Sequence, residues 1–323
     1  MSSGYIVLKS NEENKRYLNY MMHRYDVAHM KLLGSGVRQT INYNHISDSL
    51  LPIPSKPEQI AIANFLDDKV GRIDEAIAQK ERLIQLLNER KQIIIQNAVT
   101  KGLNPNAPMR DSGIEWIGKI PEHWEVAPLY SRCEVRLGKM LDSKKITGKK
   151  LGKYLRNIDV QWFRINTDNL PLMDFEKGEY ARYGLKSGDL LVCEGGEPGR
   201  CAVWNYETPC YYQKALHRIR PKRGDLPLFI ALQLRNAVEN AAFSMAGKAT
   251  IAHLTGEQLR PFRMLFPSVL EQNDIINHVQ QKCDRIGRSI QHQINIIEQL
   301  KEYKATLINS AVTGKINVSN YGL

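Results

Sequence analysis

The 323-residue chain carries 45 Lys and Arg against 34 Asp and Glu, a formal charge of +11 at pH 7. That excess points to a polyanionic partner, because cations that neutralise phosphates release condensed counterions. No apolar run nears the roughly 18–20 residues a membrane span needs, and the five cysteines, Cys133, Cys193, Cys201, Cys210 and Cys283, form no C-x-x-C pair, which speaks against structural zinc and for a reducing compartment.

Residues 1–10 carry no secretory pattern, so a cytoplasmic protein without a membrane partner is expected. An apolar stretch from Tyr17 to Met21 and the run Gly34-Ser35-Gly36-Val37-Arg38-Gln39-Thr40 follow within residues 1–57. From 58 to 101 the spacing predicts one long helix. Leu66, Ile73, Leu87 and Ile94 fall seven or fourteen residues apart, and Val70, Ile77, Ile84 and Ala98 make a second line. Sustained spacing of three and four is a coiled-coil seam, with Lys91 as a polar seam residue that fixes register. An amphipathic helix packed on a globular core is the alternative reading. Pro57 and Gly102 bound the helix.

A linker rich in Pro, Asn and Gly spans 102–114, and residues 115–267 change character. Short β-like runs at 188–192 and 201–204 are separated by glycine turns, and 228–241 reads as a helix, so a mixed α/β globule is expected. Its cations are concentrated. Lys139, Lys144, Lys145, Lys149, Lys150, Lys153, Arg156 and Arg164 meet only Asp142 and Asp159, with Asn157, Gln161 and Trp162 interleaved. Loop lysines suit phosphates, whereas Asn, Gln and Arg can read base edges. A solvated charged loop would look the same, but Lys214, His217, Arg218, Arg220, Lys222 and Arg223 form a second cluster. Arg200, in the glycine-rich turn Glu194-Gly195-Gly196-Glu197-Pro198-Gly199-Arg200, and Lys248 complete the candidate DNA contacts.

Residues 268–313 predict a second long helix, followed by a tail at 314–323. Its seam is Val279, Ile286, Leu300 and Leu307 with Ile290 and Ile297, and Lys304 stands where Lys91 does in the first. The two helices belong to an internal repeat with a single offset of 213: Pro54-Ser55 and Glu58-Gln59 return as Pro267-Ser268 and Glu271-Gln272, and Ala98-Val99-Thr100 returns as Ala311-Val312-Thr313. A helix of about 40 residues is about 60 Å long, so two paired with each other would act as a ruler. No phosphate-binding loop or amino-methyltransferase tetrapeptide is present, and Asp174, Glu176 and Lys177 only loosely suggest a nuclease cluster. A protein without a catalytic site, cofactor or metal of its own is expected.

Ser112-Gly113-Ile114-Glu115-Trp116-Ile117-Gly118 with Ile120-Pro121-Glu122-His123-Trp124, then Leu155-Arg156-Asn157-Ile158-Asp159-Val160 and Gly188-Asp189-Leu190-Leu191, resemble a target-recognition domain. With the Pro-x-x-x-Glu-Gln start of each long helix, the chain as a whole resembles the specificity subunits of type I restriction–modification systems. The resemblance implies an α+β recognition domain plus two long helices in an antiparallel coiled coil. It also implies double-stranded DNA with a bipartite site, two methyltransferase subunits and a restriction subunit as partners, with S-adenosylmethionine, ATP and Mg on those partners. The 57 residues before the first helix match only the end of a first recognition domain, so two copies are expected to associate. A shortened allele that reads one half-site or is inactive, and a coiled-coil scaffold without DNA specificity, are the competing expectations.

Overall fold

Two helices longer than 40 residues organise the chain, and each ends at a glycine. A computed structural model describes residues 10, 13–25, 50–140, 147–243 and 253–318. Helix α1 spans Lys15–Tyr25, α2 Lys56–Lys101 and, at the far end of the sequence, α7 Val269–Val312. Pro57 sits in the first turn of α2, where a missing N–H leaves no bond unmade. Gly102 and Gly314 both take φ of 70°, the left-handed conformation that ends a helix and that a side chain disfavours. None of the described helices is long and apolar enough to cross a membrane.

The chain divides into two compact units, Met1–Leu87 with Gly287–Leu323, and Asn88–Ile286. In the first unit the N-terminal half of α2 packs on the C-terminal half of α7. Leu66, Val70, Ile73, Leu307, Ile308 and Ala311 are buried there with Tyr17 and Met21 of α1, and Ile77 and Leu300 pack at the margin. Ile297 is buried, Ile84, Leu87 and Ile290 are half-buried, and Lys304 Nζ holds both carboxylate oxygens of Asp74 at 2.7 Å. In the second unit the other ends meet. Ile95, Ala98 and Val99 of α2 share a cluster with Ile275, Ile276 and Val279 of α7, flanked by half-buried Lys91 and Ile94 and buried Ile286. Start against end in both units makes the pairing antiparallel. The alternative of a helix lying on a globule also holds locally, because Trp124, Phe229 and Leu265 join the second cluster.

The globule begins with a hairpin, β1 (Met109–Asp111) and β2 (Lys119–Pro121), then β3 (Glu125–Pro128) and the short α3 (Leu129–Arg132). Its main sheet has the order β10-β9-β12-β4, built from β4 (Cys133–Leu137), β9 (Asp189–Cys193), β10 (Cys201–Trp204) and β12 (Leu216–Pro221). Every residue of β9 is buried because the strand is covered on both faces. Leu190 and Val192 face the cluster built on α5 (Pro227–Glu239), and Leu191 and Cys193 face Leu155 and Tyr212, the alternation expected of a strand. Those last two residues come from a small second sheet of β5 (Leu151–Leu155), β8 (Leu172–Asp174) and β11 (Tyr211–Tyr212). A two-residue hairpin of β6 (Val160–Gln161) and β7 (Arg164–Ile165), α4 (Glu179–Tyr183), α6 (Gly256–Leu259) and β13 (Arg263–Phe266) complete an α+β fold.

The repeated Pro-x-x-x-Glu-Gln now has a physical reason. Gln59 and Gln272 are both fully buried. Gln272 Nε2 donates to Pro267 O at 3.0 Å and Asp225 Oδ1 at 2.8 Å, and its Oε1 accepts the Leu226 N–H at 2.8 Å. Gln59 Nε2 donates to Pro54 O at 3.0 Å and to the Glu13 carboxylate, and its Oε1 accepts the Asn14 N–H at 2.9 Å. Each knot ties the start of a long helix to the start of the shorter helix that packs on it. The helix ends repeat too: Thr100 and Thr313 each donate their hydroxyl to the carbonyl four residues back, at 2.7 Å.

Candidate nucleic-acid interface

One end of the globule collects segments that lie far apart in sequence. The strand β4 runs out at Leu137, where its partner β12 begins, since His217 pairs with Leu137. β9 finishes there as well, with Leu216 opposite Cys193. Gly138 lets the chain leave this edge, because a Cβ at that position would stand 2.2 Å from Gln213 O. Lys139 then bridges Gln213, and the Lys214 N–H donates to Lys139 O at 2.8 Å. The end of β5 joins through Gln213 N–H to Leu155 O at 3.1 Å, and the glycine-rich turn joins through Glu194 N–H to Ala215 O at 2.9 Å. Asn157 Nδ2 lies 3.5 Å from Gly195 O, and Gly195 bridges His253. The hairpin of β6 and β7 adds to the same end by donating the Phe163 N–H to Cys201 O at 2.9 Å, at the first residue of β10.

Lys139, Arg156, Asn157, Gln161, Arg164, Arg200 and Lys214 are therefore neighbours by topology, but their side chains differ in what they can still bind. Arg164 and Lys214 are exposed and have no side-chain partner among the described residues. Arg156 grips Asp159 through Nε at 2.9 Å and Nη2 at 2.8 Å. Arg200 was expected to be free for a phosphate. Instead it donates to Glu197 at 3.0 Å and to Asn157 O at 2.9 Å, bracing the glycine-rich turn against the 157 segment. Lys139 turns inward to Asp174 O at 2.8 Å and to the Glu179 carboxylate. Burial of Glu179 works against its charge, yet Lys139 holds the carboxyl below its usual value.

Arg218 requires a correction. It is 1% exposed, in the middle of β12, with Nη2 on Glu134 at 2.8 Å and Nη1 on Gly184 O at 3.1 Å. A guanidinium sealed inside the sheet by those acceptors cannot reach a phosphate; it joins β4 to the chain after α4. Lys149 and Lys150 stand on a second exposed loop, at the start of β5, and Lys150 pairs with Glu176. That loop is organised by Asp174, whose carboxylate accepts the N–H of Lys150 at 2.8 Å and of Gly148 at 3.0 Å, the Thr147 hydroxyl at 3.0 Å and the Thr147 N–H. The Lys150 bond and its neighbours hold the Asp174 carboxyl below its ordinary value, so the acid suspected of nuclease chemistry is occupied as a loop staple. Lys144, Lys145 and Lys248 lie outside the described residues.

Charge patterning alone missed the apolar members of this end. Ile158 is 59% exposed and Phe163 42% exposed. An aromatic pair, Trp162-Phe163, set between Gln161 and Arg164 was the available signal.

A family model described as the type I restriction modification DNA specificity domain matches residues 121–301. The chain is 22% identical to the specificity subunit of the type I restriction enzyme EcoBI of Escherichia coli over 96% of its own length and 68% of that protein. It is 24% identical to the EcoKI specificity subunit of E. coli K12 over 78% of its length, covering 55% of that relative. It thus spans only part of the curated relatives it matches. Among solved structures, a chain from a type I R-M system, described for its complex assembly and conformational transition, aligns with TM-score 0.69 at 14% identity, over 92% of this chain and 69% of that one. The HsdS subunit from Thermoanaerobacter tengcongensis aligns with TM-score 0.53 at 14% identity, covering 93% and 70%. Both share the fold.

Proposed function

Because the chain belongs to the type I restriction–modification DNA specificity family, we propose that its globule reads one half of a bipartite duplex site and so positions two methyltransferase subunits and a restriction subunit. The observation that carries this reading is the convergence, at one end of the main sheet, of Arg164 and Lys214, exposed and without a side-chain partner among the described residues, with Asn157 and Gln161. Loose cations fit phosphates, and the amides and Arg164 fit base edges. The chain itself supplies position and no covalent step. S-adenosylmethionine, ATP and Mg act on the partner subunits, and the long helices set the distance between half-sites.

The second half-site is read by a second copy. The paired glutamine knots at Gln59 and Gln272 support this, because a chain built on two like halves offers surfaces that can match themselves. A single-chain mass in light scattering, alone and with a methyltransferase subunit, would overturn the pairing of copies.

Duplex affinity measured across a salt series tests the reading itself. Lys149→Ala, Lys150→Ala and Lys214→Ala are expected to weaken binding to every duplex and to flatten the salt dependence by roughly one unit each. Asn157→Ala, Gln161→Ala and Arg164→Ala are expected to change which sequence is preferred. A chain whose affinity ignores salt and which prefers no sequence is a scaffold, and the reading is then wrong.

A further inference from the structure

The tip of the β6–β7 hairpin combines three properties that seldom meet. Phe163 has φ of 60°, a conformation that bulky residues avoid and that persists only where the surroundings enforce it. The residue is 42% exposed, so a large part of its apolar surface still faces outward. On the short turn Asn157–Asp159, tied to the hairpin through the Gln161 side chain, Ile158 stands 59% exposed.

The tip is also held rigidly. Trp162 Nε1 donates to Glu197 Oε1 at 2.6 Å, and the Arg235 guanidinium lies 4.5 Å from the Trp162 ring centre. The Phe163 N–H is bonded to Cys201 O at 2.9 Å, and Gln161 Nε2 ties back to Ile158 O at 2.9 Å. Gln161 pairs with Arg164 across the hairpin, so an amide and a cation without a partner among the described residues stand on either side of the Trp162-Phe163 tip. The acids at this spot are already engaged, Asp159 by Arg156 and Glu197 by Arg200 and Trp162. What faces outward among the described residues is apolar surface beside the Arg164 cation and the Asn157 and Gln161 amides, which is complementary to stacked bases behind phosphates.

We propose that Phe163 and Ile158 form a rigid apolar wedge that enters a groove of duplex DNA and props open one base step beside the contacts of Asn157, Gln161 and Arg164. Apolar wedges of this kind unstack a step and kink the duplex in return for further contact. The wedge rests on the DNA-reading assignment above and specifies how part of that surface is used.

The experiment uses the full chain with its methyltransferase subunit and a library of 30-base-pair random duplexes. Duplexes enriched by the wild type are then probed with permanganate, which oxidises unstacked thymines. Phe163→Ala and Ile158→Ala are expected to bind the enriched duplex about tenfold or more weakly and to lose a reactive step. Binding to a duplex of mixed sequence should stay within about twofold. Phe163→Gly separates recognition from folding, because glycine relieves the positive φ: it should melt no lower than the wild type yet show the same loss. If Phe163→Gly binds the enriched duplex like the wild type, the wedge is wrong and the DNA-reading assignment stands. If the wild type enriches no sequence, the assignment fails and the wedge with it. If the variants keep DNA affinity but no longer co-purify with the methyltransferase subunit, the tip docks a protein and the wedge is overturned.

Discussion

Replacing Gln272 by Glu changes one atom in a fully buried knot and should be among the most damaging single substitutions in the chain. The new oxygen would face Pro267 O, now 3.0 Å from Nε2, and Asp225 Oδ1, now 2.8 Å away. Two donated bonds are lost, at about 1 kcal/mol net each. Two carboxylates about 3 Å apart repel by about 5 kcal/mol at an effective dielectric constant of about 20. Arg132, which holds Asp225 at 3.0 and 2.9 Å, offsets part of that repulsion. The expected deficit at pH 7 is therefore about 3–6 kcal/mol, comparable with the whole stability of many domains.

The deficit has a pH signature that Gln272→Ala lacks. Buried, with one oxygen against two acceptors and only the Leu226 N–H donating to the other, the introduced carboxyl has a folded pKa above its unfolded value of about 4.3. Its contribution is then most favourable below that unfolded value and is lost as pH rises through the raised folded value. Relative to the wild type, Gln272→Glu should recover stability between pH 7 and pH 5, because the protonated carboxyl can again donate. Denaturant unfolding gives the difference, and hydrogen exchange localises it to the amides around Leu226 and the start of α7. Gln59→Glu should act alike on the amides around Asn14. A Gln272→Glu chain within 1 kcal/mol of the wild type at pH 7, or one whose relative deficit grows on acidification, would refute the knot.

Asp174→Ala should release the backbone of the lysine loop. Hydrogen exchange at Gly148 and Lys150 is expected to rise towards open-loop rates, with little change in melting temperature and weaker duplex binding; unchanged protection would show that the loop holds itself. In the wild type, that ordering should persist above the ordinary carboxylate value of 3.8 and be lost as pH falls through the lowered folded value. His217 is a base whose burial pushes its pKa below 6.5, against opposing effects from its bond to Leu254 O and from Glu194. The unfolded chain therefore takes up the proton first, and stability should decline as pH drops below about 6.5 until the lowered folded value is reached. His217→Gln, which keeps a donor for Leu254, should flatten that decline in unfolding measurements at pH 5–7, and an unchanged slope would assign it elsewhere.

The long helices were legible because their signal is local and repeated: a seam of Leu and Ile at spacing of three and four needs no knowledge of the partner. Antiparallel pairing was not legible from spacing, since Leu66 and Leu307 look the same in either direction. The strands at 189–193 and 201–204 announced themselves between glycine turns. Within the second basic cluster, Arg218 and Arg220 misled. In β12, Leu216, Arg218 and Arg220 lie on one face, and their acids come from distant segments: Glu134, 84 residues from Arg218, and Asp189, 31 residues from Arg220. A count of cations cannot see such pairs. Period-two spacing of Arg218 and Arg220 about a central Ile219 was the clue that a strand, with one face buried, held them.

Duplication and charge thus carry different kinds of information here. What repeats at an offset near 213, the buried glutamines, the threonine-capped ends and the closing glycines, concerns how a long helix begins and ends. The convergent end of the globule is built from other segments: Gly138, the glycine-rich turn and the hairpin of β6 and β7. A scaffold shared by both halves can stay fixed while the reading end varies, because no bond of either glutamine knot reaches residues 156–164 or 194–200. Exchanging that end for another set of loops should therefore alter which sequence is read and leave the helix pairing intact.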